Sequence, residues 1–290
     1  MKKVGFIGLG NIGKGICKNL IKNGFELTVY DVYRPAMERF EGKAKLAADP
    51  AEVINNAEAV FLSLPKSEVV EDTIATFIAE GIEGKLIIDT STSYPLSTKK
   101  LYAEVKAHGG DLLDAPLMAG PDEAEAGTLE ILVSGDKEAY DRAEELFKAY
   151  CSVYKFVGES GTAHLLKIAQ NFVGLTEALI FAQLFPVIDK AGYPPEKLAE
   201  VIGESVLANW TSNFYNKKYV SRDYHLDFAL KLGTKDLSYM KRIYEEFNVP
   251  GFILDGALDL CRVSLGDQKE GEPPIDFSYP CETMYRLLEK

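Results

Sequence analysis

Along roughly its first half the chain alternates between two periods. Short apolar runs bounded by polar or glycine residues predict strands at 4–8, 27–31, 59–64, 86–89, 111–115, 129–134 and 153–157. Helix-period segments lie between them. After the first run, Ile12, Ile16, Leu20 and Ile21 recur at helical spacing, and Gly24 supplies the stop. Strands alternating with helices predict a mostly parallel sheet covered on both faces. Such sheets bind ligands where their strands end, which directs attention to Asp31, Leu64-Pro65, Thr90-Ser91-Thr92 and residues 116–120.

Beyond Gly161 the alternation stops. From Thr162 to about Asp189 the residues are nearly all helix formers, and Leu165, Leu166, Ile168, Phe172, Val173, Leu175, Leu179, Ile180, Phe181, Leu184 and Phe185 pass almost all the way round. A helix apolar on every side is expected to be buried, between domains, between subunits or both. Pro186 is expected to kink it or end its regular part, because proline removes a ladder bond. A turn at 192–195 precedes further predicted helices at 196–205, 234–247, 250–265 and 280–289, with 266–274 the most loop-like segment. The predicted fold class is α/β. An N-terminal Rossmann-type doubly wound sheet (1–160) is followed by an all-α domain (161–290), the two linked by the long buried helix.

Composition adds bounds rather than chemistry. With 290 residues, 47% of them hydrophobic, the chain can fill two ordinary domains. A net charge of −12 argues against a nucleic-acid partner, which would need a clustered basic face. Cys17, Cys151, Cys261 and Cys281 are scattered without metal spacing, and no secretory signal precedes Val4, so a cytoplasmic setting and no metal site are expected. No uninterrupted run of eighteen apolar residues exists, so no membrane span is expected. His108, His164 and His225 read as ordinary surface residues.

The first strand passes straight into Gly8-Leu9-Gly10-Asn11-Ile12-Gly13. In a strand–turn–helix unit these glycines allow the tight turn, the close approach of a pyrophosphate and the packing of helix on strand. The helix N-terminus adds N–H groups and the positive end of its dipole. Asp31 ends the second strand about twenty residues on, where such folds bind the ribose 2′-hydroxyl. A carboxylate there accepts bonds from ribose hydroxyls and repels a 2′-phosphate, so NAD is expected in preference to NADP. Val32 and Tyr33 come first after this strand, and Arg34 follows them.

On the long helix, Lys167 and Asn171 stand four apart and therefore share a face. One reading is a lysine that snorkels, its stem covering apolar surface. The other is catalytic: a desolvated lysine has its pKa drawn toward neutrality and can exchange a proton with an oxygen that gains or loses a hydride. Asn171 then holds the substrate oxygen or orients the lysine.

Taken in order, these motifs resemble the β-hydroxyacid dehydrogenases, relatives of 3-hydroxyisobutyrate dehydrogenase and tartronate semialdehyde reductase and, more distantly, of 6-phosphogluconate dehydrogenase. The resemblance runs over essentially the whole chain: Gly5-Phe6-Ile7-Gly8-Leu9-Gly10 with Gly13, Leu64-Pro65, Asp89-Thr90-Ser91-Thr92, Asp114-Ala115-Pro116 with Gly120, Ala126-Gly127-Thr128-Leu129, Gly158, Gly161, Lys167, Asn171 and Lys235-Asp236-Leu237. It implies that Lys167 is the proton donor and acceptor with Asn171 beside it. It places Leu64, Pro65, Thr92 and Lys235 around the cofactor, sets Met118, Ala119 and Gly120 against the substrate, and makes a homodimer or homotetramer usual. One departure stands out. Where the family commonly carries a serine that helps hold the substrate carboxylate, this chain has Met118, which suits a bulkier or less polar substituent. The expected activity is NAD-dependent interconversion of a short 3-hydroxy acid, or a related hydroxy compound, and its aldehyde or ketone. Imine reduction on the same scaffold and a non-catalytic NAD-binding sensor are the alternatives.

Overall fold

The computed structural model describes residues 1–290 except Ala119, Glu270 and Lys290. It contains two compact units, Met1–Lys167 and Ile168–Lys290.

In the first unit, β1 (Lys3–Ile7), α1 (Gly13–Lys22), β2 (Glu26–Tyr30), α2 (Arg34–Glu38), β3 (Lys45–Leu46), α3 (Pro50–Asn55), β4 (Ala59–Leu62), α4 (Ser67–Glu80), β5 (Leu86–Asp89), α5 (Pro95–Ala107), β6 (Asp111–Asp114), α6 (Pro121–Ala126), β7 (Leu129–Ser134), α7 (Lys137–Lys148) and β8 (Cys151–Gly158) follow one another. The strands form one sheet in the order β3-β2-β1-β4-β5-β6-β7-β8. Every pairing is parallel except β6 with β7, joined at Asp114 and Ser134. Alternate residues of each strand enter opposite cores. Val4, Phe6, Ala59, Phe61, Leu86, Ile88 and Leu113 pack on one face, and Ile7, Val60, Leu62, Ile87 and Leu112 on the other. Burial on both faces explains why these strands read as continuous apolar runs. The order reverses between β1 and β4, so the glycine turn after β1 and Leu64-Pro65 after β4 flank the point where doubly wound sheets take their ligand. Strand β3 escaped the sequence pattern because two residues carry no period.

Helix α8 (Thr162–Lys190) begins in the first unit and continues into the second. It passes through Pro186 without ending there: the ring is buried, and the Ala191 N–H still reaches the Val187 carbonyl at 3.0 Å. Its burial is one-sided. Ala163, His164, Ile168, Leu175, Ala178, Leu179, Ala182 and Phe185 are buried, whereas Leu166, Val173, Ile180 and Val187, each seven residues from the last, stay exposed. The helix reaches a mean hydropathy of 1.5, long and apolar enough by composition to cross a membrane. Its buried face instead meets the helices of its own unit, with Phe172 against Tyr244 and Phe185 against Tyr219, whose hydroxyl donates to the Ala178 carbonyl at 2.9 Å.

The second unit goes on through α9 (Pro195–Gly203), α10 (Trp210–Ser221), α11 (Leu230–Glu246), α12 (Phe252–Leu265) and α13 (Pro280–Leu288). Helix α10 was not legible in the apolar spacing, since polar residues and aromatics interleave along it. It is fixed at its start by Asn209 and Ser212, whose side chains each accept the other's backbone N–H. At Gly233 a Cβ would lie 2.3 Å from the Phe277 ring, so the missing side chain lets α11 close on that ring. The buried Lys218 ammonium is neutralised by Asp227 at 2.7 Å and Asp276 at 3.2 Å.

Candidate active site

The turn between β1 and α1 fits a dinucleotide. Gly8 has φ +98°, and a Cβ there would lie 2.1 Å from the Ser63 carbonyl oxygen. At Gly13 a Cβ would lie 2.0 Å from the Gly8 oxygen, so this residue lets α1 start against the turn. Gly10 is different, because a Cβ there would meet nothing and would project into open space. The start of α1 carries no side-chain cap and no acidic residue, so no side chain competes with a phosphate for its positive dipole end, although the Lys14 and Gly15 N–H groups already donate to the Gly10 and Ile12 carbonyls at 3.1 and 2.9 Å. Asp31 braces the turn from β2. Its carboxylate accepts the Leu9 N–H at 2.6 Å and the Tyr33 N–H at 2.7 Å, and its further lone pairs suit ribose hydroxyls. Asn11 is exposed and Ile12 half-buried at the same turn. These residues fit NAD.

The exits of β4, β5 and β6 are tied together by buried polar groups. The Leu64 N–H donates to Ser91 Oγ at 2.9 Å, with Pro65 exposed beside it and Thr92 half-buried after Ser91. Asp89 accepts the Ser91 N–H at 2.9 Å and the Ser93 hydroxyl at 2.8 Å. Asp114, fully buried, accepts from the Gly161 N–H at 2.9 Å, the His164 N–H at 3.1 Å and the Ser134 hydroxyl at 2.6 Å, while Ser134 Oγ accepts the Ala163 N–H at 2.9 Å. Asp114 and Ser134 thereby satisfy the opening N–H groups of α8 and fasten the helix that carries Lys167 to the strand ends.

Met118 follows β6 and is half-buried. Its N–H donates to the Glu130 carbonyl at 2.8 Å, and the Gly120 N–H donates to the Glu123 carboxylate at 3.0 Å. Ala119, expected at the substrate, lies outside the described residues. The helix α6 behind this loop is seated on α1: a Cβ at Gly15 would lie 2.6 Å from the Ala124 backbone, and the Asn19 amide donates to the Ala124 carbonyl at 2.9 Å.

Lys167 and Asn171 occur one turn apart on α8, both half-buried. Asn171 Nδ2 donates to Asp236 Oδ2 at 2.7 Å, and Lys235 Nζ lies 3.2 Å from Asp236 Oδ1. Sequence reasoning quoted Asp236 as part of a motif but gave it no task; its contact with Asn171 fixes which way that amide points. Sequence reasoning also misplaced His164. It is no surface residue: it is fully buried, because Nδ1 meets Thr98 Oγ1 at 2.8 Å and Nε2 meets the Ser91 carbonyl at 3.0 Å, satisfying both ring nitrogens away from water. The polar spacing around His164 gave no hint of this, since its partners come from 66 and 73 residues away. His225 is exposed, and His108 lies at the exposed end of α5. Among the described residues, no group of three His, Cys, Asp or Glu side chains is placed to hold a metal ion.

Comparison with known proteins agrees with this layout. Residues 3–158 match the family model of the NAD-binding domain of 6-phosphogluconate dehydrogenase, and residues 161–275 match that described as NAD-binding of NADP-dependent 3-hydroxyisobutyrate dehydrogenase. A probable mitochondrial 3-hydroxyisobutyrate dehydrogenase of Dictyostelium discoideum is 33% identical over 100% of this chain and 91% of its own length. The NAD-dependent L-serine dehydrogenase of Pseudomonas aeruginosa is 30% identical, with 96% of each covered. Among solved structures, the Mycobacterium tuberculosis 3-hydroxyisobutyrate dehydrogenase with L-serine superposes with a TM-score of 0.88 at 24% identity, over 98% of this chain and 99% of that one. The chain therefore belongs to the β-hydroxyacid dehydrogenase family, and it is an NAD-dependent oxidoreductase acting on the CH–OH group of a hydroxy acid.

Proposed function

We propose that the substrate is a short 3-hydroxy acid and that Lys167 exchanges the proton. The observation that carries this is the pairing of Lys167 with Asn171 one turn apart, the Asn171 amide held by Asp236. Because one Nδ2 hydrogen is committed to Asp236, the second amide hydrogen can donate to the substrate oxygen, and Oδ1 can accept from a hydroxyl or ammonium donor. NAD⁺ supplies the hydride acceptor. In the oxidising direction Lys167 as the neutral amine takes the hydroxyl proton; in the reverse direction its ammonium returns it to the carbonyl oxygen. Gly8, Gly10, Asn11, Ile12, Gly13, Asp31, Leu64, Pro65 and Thr92 are assigned to NAD, and Met118, Ala119 and Gly120 to the substrate. Lys235 belongs to the second unit, and its assignment to the cofactor rests on family resemblance.

Relatives named for 3-hydroxyisobutyrate and L-serine support the substrate class, since both molecules carry a hydroxyl β to a carboxylate. Residues 1–160 are read as the NAD domain and 161–290 as the substrate and oligomerisation domain. The exposed stripe of Leu166, Val173, Ile180 and Val187 suits a second copy of the same helix, giving a homodimer or homotetramer. Four buried, unpaired cysteines fit a reducing, cytoplasmic setting. NAD⁺ reduction across a panel of hydroxy acids ending in carboxylate, sulfonate or phosphate, with NADP⁺ and cyclic imines in parallel, tests the reading: turnover of cyclic imines alone would replace it with imine reduction.

A further inference from the structure

The His164 side chain is fully buried at the first turn of α8, three residues before Lys167. A carbonyl oxygen only accepts, so the 3.0 Å contact with Ser91 means that Nε2 carries a proton and donates it. Thr98 Oγ1, from α5, occupies the other ring nitrogen at 2.8 Å. The Asp89 and Asp114 carboxylates stand 3.8 and 4.0 Å from Nε2 and Nδ1 respectively. Ser91 is itself a junction, because its hydroxyl accepts the Leu64 N–H at 2.9 Å. A continuous line of hydrogen bonds thus runs from the first turn of α8, through the imidazole and Ser91, to the backbone at the end of β4.

We propose that His164 is a positioning residue that sets the register between the Lys167 turn and the two cofactor-facing loops at Leu64-Pro65 and Ser91-Thr92. It acts through the Ser91 carbonyl and touches neither substrate nor NAD. Hydride and proton transfer both depend on this register, since a misplacement of about 1 Å can cost roughly a hundredfold in rate. A solvent-facing histidine could not do this; a buried ring with both nitrogens engaged has one orientation. The idea rests on the reading of Lys167 as the proton carrier, so its test includes a measurement that needs no substrate.

Two amide replacements separate the two ring contacts. In His164→Gln the amide nitrogen falls near Nε2 and keeps the bond to Ser91, whereas in His164→Asn the amide reaches only the Nδ1 position, and the Ser91 carbonyl loses its donor. NADH affinity is measured by fluorescence titration, and turnover by NAD⁺ reduction with the hydroxy acid found in the panel. His164→Asn should weaken NADH binding fivefold or more, lower kcat tenfold or more and leave substrate KM within threefold. His164→Gln should recover both NADH affinity and kcat to within threefold of wild type, even if the two variants lose the same amount of thermal stability. Equal NADH affinity in the two variants overturns the proposal. If His164→Asn does not fold, Thr98→Val decides: it removes the Nδ1 contact, together with the hydroxyl's longer bond to the Tyr94 carbonyl within α5's own first turn, leaves the Nε2 bond to Ser91, and should keep NADH affinity within twofold, whereas a fivefold loss assigns the task to α5 instead. Lys167→Ala with wild-type turnover would refute the proton-transfer role while leaving the NADH comparison, and thus the register claim, to be judged separately.

Discussion

Replacing Gly10 with alanine separates cofactor binding from folding. The backbone there lies outside the left-handed region, and an added Cβ touches no protein atom within 4 Å. Alanine at a compatible position reduces the freedom of the unfolded chain and stabilises by about 0.4–1 kcal/mol. The melting temperature should therefore hold or rise by a few degrees. The open space that the methyl group enters is the space assigned to the pyrophosphate, over an α1 N-terminus without a cap. Losing that close approach should weaken NADH binding about tenfold to a hundredfold, or roughly 1.4–2.8 kcal/mol. Gly8→Ala is the contrasting arm. With φ +98° and a Cβ 2.1 Å from the Ser63 oxygen, it strains the fold itself. A left-handed alanine costs about 1–2 kcal/mol before any clash is counted, so melting should fall by several degrees. Differential scanning fluorimetry with and without NADH, beside fluorescence titration, reads both effects. Wild-type NADH affinity in Gly10→Ala would refute the placement of the pyrophosphate at this turn.

Asp236→Ala should lower kcat about tenfold or more, because Asn171 loses the acceptor that orients it; steady-state kinetics with unchanged kcat would show that the orientation is immaterial. Burial pushes the thiols of Cys17, Cys151, Cys261 and Cys281 up, to about 11 for Cys261 and about 12 for Cys281, so the native protein at pH 8 should resist a thiol reagent that titrates all four once it is unfolded. At Asp276, burial pushes the carboxyl up, but bonds from Ser278, Phe228 and Asp227 outweigh it and hold the group below the ordinary aspartate value. A depressed folded pKa means stability that is present above about pH 4 and lost as the pH falls through the folded value, so Asp276→Asn should flatten the acid limb of a melting-temperature profile. Placing glutamate at both Val173 and Ile180 should leave monomers by light scattering if α8 pairs with its copy; an unchanged oligomer would assign the interface elsewhere.

The layers of the fold were legible because both of its periods are strong. Strands buried on two faces, such as Ala59–Leu62, leave apolar runs that nothing else in the first unit imitates. The glycine turn was legible for a different reason: two of its three glycines answer a steric demand of the fold, as the 2.0 Å and 2.1 Å approaches at Gly13 and Gly8 show, while Gly10 leaves open space. Antiparallel β7 was not legible, because strand direction leaves no mark on a strand's own residues. The extent of α8 was legible to about Asp189, within one residue of its end at Lys190; what stayed open was whether Pro186 would end its regular part, and the helix continues through it. Lys167 and Asn171 could be picked out by helical spacing, yet Asp236 and His164 could not. Their importance comes from partners 65 and 73 residues away, and a long-range hydrogen bond has no periodic signature. The loop after β6, expected at the substrate, was the least legible part, since its backbone N–H groups at Met118 and Gly120 are taken by the Glu130 carbonyl and the Glu123 carboxylate, a choice that only the folded chain makes.

Lys167→Ala, assayed for NAD⁺ reduction with the best hydroxy acid of the panel and for NADH affinity in the same buffer, asks whether Lys167 carries the proton. A positioned acid–base group is worth about a hundredfold to ten-thousandfold. kcat should fall within that range while NADH affinity stays within about threefold, the difference between a lost proton carrier and a damaged cofactor site. A variant that turns over the hydroxy acid at the wild-type rate would contradict that role.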